Sequence, residues 1–161
     1  MWRSTAAVLF VLSAATLLVA TISAQVRVPT DFFVKLVRGT CEGSCPGYSI
    51  TVDSKGRVAW DGKFFVQQKG PAQKIISRED LESILRKVEE TQFFRFQAGR
   101  RLCTDSANLL IEVTMNRKVK SVNHDSCSQM KTPEGQKTAE LARHIEKVIG
   151  AEQWVGKTQT R

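Results

Sequence analysis

The stretch YSITVDSKGRVAWDG, from Tyr48 to Gly62, decides the fold class of this chain. Its apolar residues alternate with polar ones on both sides of the tetrapeptide DSKG, from Asp53 to Gly56. Alternation with a period of two is typical of a β-strand that buries one face. A turn-rich tetrapeptide that ends in glycine is typical of the connection in an antiparallel hairpin. The stretch therefore predicts two paired strands.

Further strands are predicted on both sides of this hairpin. DFFVKLVRG, from Asp31 to Gly39, precedes it and has its apolar residues in near alternation. KFFVQ, from Lys63 to Gln67, is expected to add a strand that Gly70-Pro71 breaks, because glycine and proline interrupt regular structure. FFRF, from Phe93 to Phe96, is expected to return the chain to the sheet.

A second hairpin is predicted in the second half of the chain. Leu109–Thr114 and Val119–Asn123 are strand-like, and Asn116-Arg117 between them is the expected turn.

Two amphipathic helices are also predicted. SRED at Ser77 is a capping-box variant with Asp80 in the position that usually holds Glu. Apolar residues then follow the i, i+3, i+4, i+7 pattern of one buried stripe; they are Leu81, Ile84, Leu85 and Val88. The second helix is expected from about Pro133 to Ile149, with Thr132 as its N-cap.

The two halves of the chain resemble each other, which suggests a tandem ββα repeat. A shift of 61 residues aligns apolar pairs that include Ile50 with Ile111, Val58 with Val119 and Ile84 with Ile145. Many unrelated ββα units share such a pattern, so coincidence is the alternative. Either way, the sequence predicts an α+β fold with two helices on one face of an antiparallel sheet.

Residues 1–24 are predicted to be a cleaved secretory signal peptide. Arg3 is followed by an apolar run from Ala6 to Ala20 and by the small residues Ser23 and Ala24. A membrane anchor is the alternative, but a spanning helix needs about 20 apolar residues. Residues 25–161 are then expected to form a single secreted or periplasmic α+β domain with no membrane span, since no second apolar run follows.

The charge of the chain is basic but dispersed. The formal net charge is +8, and no run of five or more cations occurs. Aromatic residues are not interleaved with the cations, so a specific nucleic-acid surface is not indicated. A solvated surface is the simplest interpretation, and a polyanionic partner is the alternative.

The four cysteines are expected to form two disulfides, because a secreted chain matures in an oxidising environment. If the second hairpin turns at Asn116-Arg117, Cys103 and Cys127 lie just beyond its two open ends and nearly opposite each other, within disulfide reach. Cys41 then pairs with Cys45 and closes a tight loop around Gly43.

Cys41, Gly43, Cys45, Pro46 and Tyr48 form a Cys-x-Gly-x-Cys-Pro-x-Tyr motif after the first strand. This motif, the hairpin glycines at Gly56 and Gly62 and the Phe/Val strand resemble an uncharacterised family of small secreted bacterial domains, a domain of unknown function. The resemblance covers about residues 32–155, and Thr104-Asp105 and the strand near His124 resemble the family's second half. It implies a secreted α+β domain and no known activity, and Cys103 and Cys127 look like an addition.

Metal binding and thiol chemistry are the alternatives for Cys41 and Cys45. Cys-x-x-x-Cys-Pro with a distant histidine is similar to the copper-binding motif of the Sco family, and two thiolates with one imidazole suit Cu(I). His124 or His144 would be the third ligand, although no thioredoxin-like βαβ pattern surrounds the motif. We expect His124 on the surface and His144 partly buried. A thiol oxidoreductase usually has Cys-x-x-Cys at a helix N-terminus, which is missing here.

No catalytic pattern is evident. The contiguous His124-Asp125-Ser126 contains triad residue types, but triads are assembled in space rather than in sequence. We therefore predict a non-enzymatic binding module without a cofactor, whose partner is a protein or a polyanion. Loops on a rigid sheet usually carry binding. The candidate binding residues are Glu42, Ser44 and Tyr48 near the first cysteine pair and Arg100, Arg101 and Asp105 in the connection from Gln97 to Asn108.

Overall fold

A computed structural model of the protein describes residues 27–97, 102–104 and 106–156. Within these residues one antiparallel sheet has the strand order β4-β3-β2-β1-β5-β6. The strands are β1 (Phe33–Arg38), β2 (Gly47–Asp53), β3 (Arg57–Phe64), β4 (Gly70–Ile75), β5 (Asn108–Met115) and β6 (Lys118–Asp125). The helices are α1 (Arg78–Glu90), α2 (Ser126–Lys131), α3 (Pro133–Val148) and α4 (Glu152–Val155). The α+β prediction is confirmed.

The sheet has one covered face and one open face. Alternate residues of β1, β2, β3 and β5 are buried, as period-two patterning requires, and they share one core with the apolar stripes of α1 and α3. The intervening residues form the open face, on which neighbouring strands align in rows. One such row is Gln73, Ala59, Thr51, Lys35, Glu112 and Ser121.

The turn of the second hairpin lies where the sequence predicts it. Asn116 and Arg117 both have positive φ, at 53° and 62°. This conformation is that of a tight hairpin turn, which asparagine tolerates at its first central position. The carboxylate of Asp31 accepts hydrogen bonds from the backbone N–H groups of both residues, at 3.0 and 2.5 Å. The N-terminal segment is thereby tied to the hairpin tip.

Gly70 and Pro71 begin a strand instead of breaking one, so that prediction is wrong. β4 starts at Gly70 and pairs with β3. Proline is tolerated here because β4 is an edge strand and one side of its backbone needs no partner. The predicted strand KFFVQ is correspondingly cut short, since β3 ends at Phe64 and the chain then leaves the sheet.

The FFRF segment does not return to the sheet, which corrects a second prediction. Phe93–Arg95 is a short 3₁₀ helix that follows α1. Phe93 is fully buried and Phe96 is 5% exposed, and their rings pack 5.4 Å apart. Burial of these rings in the helix layer outweighs the strand preference of the local sequence.

The N-caps of α1 and α3 and the buried stripe of α1 are those that the sequence predicts. Ser77 Oγ accepts from the backbone N–H of Asp80 at 3.0 Å, and Thr132 Oγ1 accepts from that of Gly135 at 3.0 Å. All four predicted stripe residues of α1 are buried. His144 on α3 is partly buried, as predicted, and its Nε2 lies 3.0 Å from Ser83 Oγ.

The two halves share a ββα order, but the alignment fails in the second strand of each hairpin. Val52 lies opposite Val58, whereas Val113, its counterpart, lies opposite Lys120. A one-residue offset moves a side chain to the other face of a sheet. Val119 is accordingly 66% exposed, while Val58 is buried. In addition, β4 belongs to the first half alone and α2 to the second.

Candidate functional site

Both disulfides lie at the same end of the sheet, which we call the disulfide end. β1 and β3 end there and β2 begins there, so the Cys41–Cys45 loop lies beside the β3–β4 loop, residues 65–69. β5 begins and β6 ends at this same end, next to the second disulfide. The pairs are those predicted, with Cα separations of 5.6 Å for Cys41–Cys45 and 5.9 Å for Cys103–Cys127. All four cysteines are described and none is free.

The Cys103–Cys127 disulfide is built around Asp125 rather than across an extended hairpin. Cys127 lies in the first turn of α2, a helix that the sequence analysis did not predict. Asp125 caps this helix, since its Oδ1 accepts from the N–H of Ser128 at 2.6 Å. Its Oδ2 accepts from the N–H groups of Leu102 and Cys103 at 2.5 and 2.8 Å. One carboxylate thus joins both segments that the disulfide links.

Asp125 remains ionised although it is only 2% exposed. Burial acts to raise the pKa of Asp125, but the backbone N–H donors of Cys103, Ser128 and Leu102 outweigh burial and hold the pKa well below its usual range. Both oxygens of the Asp125 carboxylate therefore accept hydrogen bonds that stabilise the fold.

His124 is buried, and the prediction of a surface histidine is wrong. Its side chain projects from β6 to the covered face and is 3% exposed. Neither ring nitrogen has a hydrogen-bond partner among the described residues. Burial lowers the pKa of His124, and the nearby carboxylates of Glu134 and Asp125 offset this only in part. The buried site therefore favours the neutral imidazole.

Tyr48, a predicted binding residue, lies inside the disulfide end rather than on its surface. It is 6% exposed, and its hydroxyl donates to Glu146 Oε1 at 2.7 Å. Arg38 donates to both oxygens of the same carboxylate, from Nε at 2.7 Å and from Nη2 at 3.0 Å. The Tyr48 ring stacks on Trp60 with centroids 4.5 Å apart. These contacts join β1, β2 and β3 to α3.

The environment of Tyr48 opposes its ionisation. Burial raises the pKa of the Tyr48 hydroxyl, and the negative charge of Glu146 raises it further. A phenol in this setting remains a hydrogen-bond donor over the whole physiological pH range.

The other predicted binding residues divide into two groups. Glu42 and Ser44 are exposed on the Cys41–Cys45 loop, where Gly43 has a φ of 128° that a residue with a side chain rarely adopts. Arg100, Arg101 and Asp105 lie outside the described residues. The structure therefore brings Glu42 and Ser44 to one surface at the disulfide end.

Phe64 and Phe65, which the sequence analysis assigned to a strand, form an exposed aromatic pair at the disulfide end. They are 56% and 57% exposed. Phe65 has a φ of 51°, which is uncommon for a bulky residue. A sequence signal existed, since two adjacent phenylalanines cannot both face the core of a strand.

The loop that carries this pair is anchored on the protein. Val66 is buried directly after the pair. The backbone N–H groups of Gln67 and Gln68 donate to the carbonyls of Val155 and Trp154, at 3.1 and 2.8 Å. The Gln68 carbonyl accepts from the Trp60 indole at 3.0 Å. The fold thus holds both rings in exposed positions.

A β-bulge determines where Phe64 points. Tyr48 lies opposite Gly62, but the preceding residue Gly47 lies opposite Phe64 rather than Lys63. The extra residue in β3 shifts the side-chain alternation by one position. Phe64, which would otherwise follow Gly62 on the covered face, joins Gly47 on the open face.

The geometry leaves the metal and redox alternatives without further support. Cys41 and Cys45 are bonded to each other, and a thiolate ligand or nucleophile would first require reduction of that bond. Among residues 27–97, 102–104 and 106–156, no three His, Cys, Asp or Glu side chains are grouped so that they could hold a metal ion. In the same ranges no helix is long and apolar enough to span a membrane.

One of the comparisons with known proteins identifies the family of the chain. None of the curated proteins matches the chain. A family model does match, over residues 32–149, from Phe32 ahead of β1 to the end of α3. This match covers most of the chain, including the Cys41–Cys45 loop, the bulge and the Arg38–Glu146–Tyr48 contacts. The chain therefore belongs to the family described as Domain of unknown function (DUF6438).

Proposed function

We propose that this protein is an exported, non-enzymatic binding domain that holds a protein partner at its disulfide end. Export is supported by the leader-like residues 1–24 and by the two disulfides, which persist in oxidising compartments. A binding role, rather than a catalytic one, is supported by the polar groups beneath this surface, because they are hydrogen-bonded to one another. Arg38 and Tyr48, for example, both donate to Glu146.

The exposed pair Phe64 and Phe65 is the observation that carries the proposal. Aromatic side chains dominate the energetics of protein interfaces, whereas a soluble surface gains nothing from displaying two of them together. Unusual backbone conformations such as that of Phe65 concentrate at functional sites, because the fold must stabilise them. An anchored loop also loses little conformational entropy when it binds.

A protein partner is favoured over a polyanion because two cations near this end, Arg38 and Lys63, are already paired with acids. Arg38 binds Glu146, and Lys63 lies 2.5 Å from Asp61. Polyanion binding relies on several unpaired cations, which neutralise the ligand together. Apolar contact through the aromatic pair has no such requirement.

The test is capture of a partner from the envelope fraction of the host by protein exported with its own leader. Intact mass should show a product that lacks residues 1–24 and contains no free thiol. We expect one protein to be captured by the wild type and lost with the double variant Phe64→Ser, Phe65→Ser. Ile75→Ser is the matched control, because Ile75 is 75% exposed at the opposite end of β4.

Salt dependence and copper content separate the alternative functions. Binding through aromatic contacts should change little as salt rises, whereas polyanion binding should weaken steeply. Capture that survives the double Phe variant, or that falls equally with Ile75→Ser, would contradict the proposed surface. Stoichiometric copper in the exported protein that is lost with Cys45→Ser would instead favour the metal alternative.

A further inference from the structure

A groove beside the aromatic pair crosses the start of β2 on the open face; we call it the Phe64 groove. Its volume is about 420 Å³, in the range of small-ligand sites. It is lined by Lys35, Val37, Arg38, Gly39, Thr40, Gly47, Tyr48, Ser49, Lys63 and Phe64.

Gly47 lies at the base of the groove, buried beneath the Thr40 methyl and the Phe64 ring. A Cβ atom at this position would lie 3.1 Å from Thr40 Cγ2 and 3.3 Å from Phe64 Cδ2. The lack of a β-carbon therefore lets these two groups pack closely over Gly47, where they form apolar surface of the groove. The bulge at Lys63 turns the Phe64 ring toward the groove.

The charged residues that line the groove are Lys35, Arg38 and Lys63, and the Arg38 side chain leaves the groove toward Glu146 on the covered face. Lys35 is exposed and forms no ion pair within the described parts of the chain, although Glu112 lies opposite it on β5. Arg38 and Lys63 are paired with acids that do not line the groove. An apolar groove surface with one unpaired cation beside it is complementary to an apolar group that carries a negative charge.

We infer that the Phe64 groove receives a peptide segment of the partner in which an apolar side chain stands next to a carboxylate. The apolar side chain packs against the Phe64 ring and the Thr40 methyl, and the carboxylate is bound by Lys35. This inference rests on the proposed protein-binding function and names the chemistry of the segment that is bound.

The test uses N-acetyl-L-phenylalanine, which carries a ring and a carboxylate in one residue, and the full exported protein in its oxidised form. Amide chemical shifts are followed by NMR during titration. N-acetyl-L-phenylalaninamide lacks the carboxylate, and N-acetylglycine lacks the ring. We expect saturable shifts at residues 35, 47, 49 and 64, with a Kd on the order of 1–10 mM for so small a ligand. The amide should bind about 3- to 5-fold more weakly, as an exposed ion pair implies, and N-acetylglycine should give no saturable shifts.

Two variants test the apolar contact and the ion pair separately. Phe64→Ser should weaken binding of N-acetyl-L-phenylalanine about tenfold or more. Lys35→Met should remove the preference for the acid over the amide. The controls are Ile75→Ser and Lys55→Met, which change an exposed apolar residue and an exposed lysine at the opposite end of the sheet. Both controls should bind like the wild type, and native amide dispersion verifies that each variant is folded.

The inference is overturned if the acid and the amide bind equally, if Phe64→Ser binds like the wild type, or if the shifts map elsewhere. Its failure is distinguishable from failure of the proposed function. Partner capture that depends on Phe64 and Phe65 without binding of the small probe would leave the protein-binding proposal intact and remove the groove chemistry. Probe binding without any captured partner would support the groove chemistry and contradict the protein-binding proposal.

Discussion

Tyr48 should ionise only at a pH well above that of a free tyrosine, and its hydroxyl should contribute measurably to stability. Its hydroxyl donates to the carboxylate of Glu146 at 2.7 Å. A hydrogen bond to a charged group contributes about 1.5–3 kcal/mol. Glu146 retains both bonds from Arg38 and some solvent exposure in Tyr48→Phe, so we expect the lower end, about 1.5 kcal/mol. For a domain of this size the melting temperature should fall by about 5 °C.

The composition of the chain makes this prediction directly measurable. Tyr48 is its single tyrosine, so tyrosinate absorbance reports on this hydroxyl alone. In denaturant the absorbance should rise with a midpoint near pH 10, about the value of an unperturbed tyrosine. In the folded protein the midpoint should lie well above 10, because burial and the charge of Glu146 raise the pKa. Glu146→Gln should lower the native midpoint without returning it to 10, since burial remains.

The same pKa shift predicts how stability changes with pH. A raised folded-state pKa contributes stability that is present below the unfolded pKa and is lost as pH rises above about 10. The stability gap between the wild type and Tyr48→Phe should therefore narrow above that pH. Circular dichroism recorded alongside absorbance detects unfolding. Ionisation with a midpoint near 10 in a protein that is still folded would refute the reasoning.

Two further predictions concern the buried histidine and the disulfides. Because burial lowers the pKa of His124, the unfolded state takes up a proton first, and the free energy of unfolding should fall between pH 7.5 and 5.5, by at most about 1.4 kcal/mol. Denaturation at the two pH values should show this loss in the wild type and in His144→Gln but not in His124→Gln; an equal loss in all three would disprove it. Replacing the Cys103–Cys127 pair by alanines should destabilise the protein by about 1.5 kcal/mol more than replacing the Cys41–Cys45 pair, because the sequence separations are 24 and 4. Equal losses in melts of the two variants would show that chain entropy does not govern these bonds.

The sequence by itself determined the fold class, most element positions and the cysteine pairing. Hairpin alternation, the helical stripe behind Ser77 and the caps at Ser77 and Thr132 are local patterns, and each needs only neighbouring residues to be interpreted. The Cys103–Cys127 pairing could be inferred because a tight turn at Asn116-Arg117 sets the register of its hairpin.

Tertiary structure decided which side chains are exposed and which polar groups form hydrogen bonds. A single bulge turned Phe64 to the open face, and the edge position of β4 admitted Pro71. His124 belongs to a strand that the sequence identified, but its burial depends on the helix layer above it. Tyr48 meets a carboxylate 98 positions away. Such outcomes depend on register and on packing between distant segments, and no local periodicity encodes them.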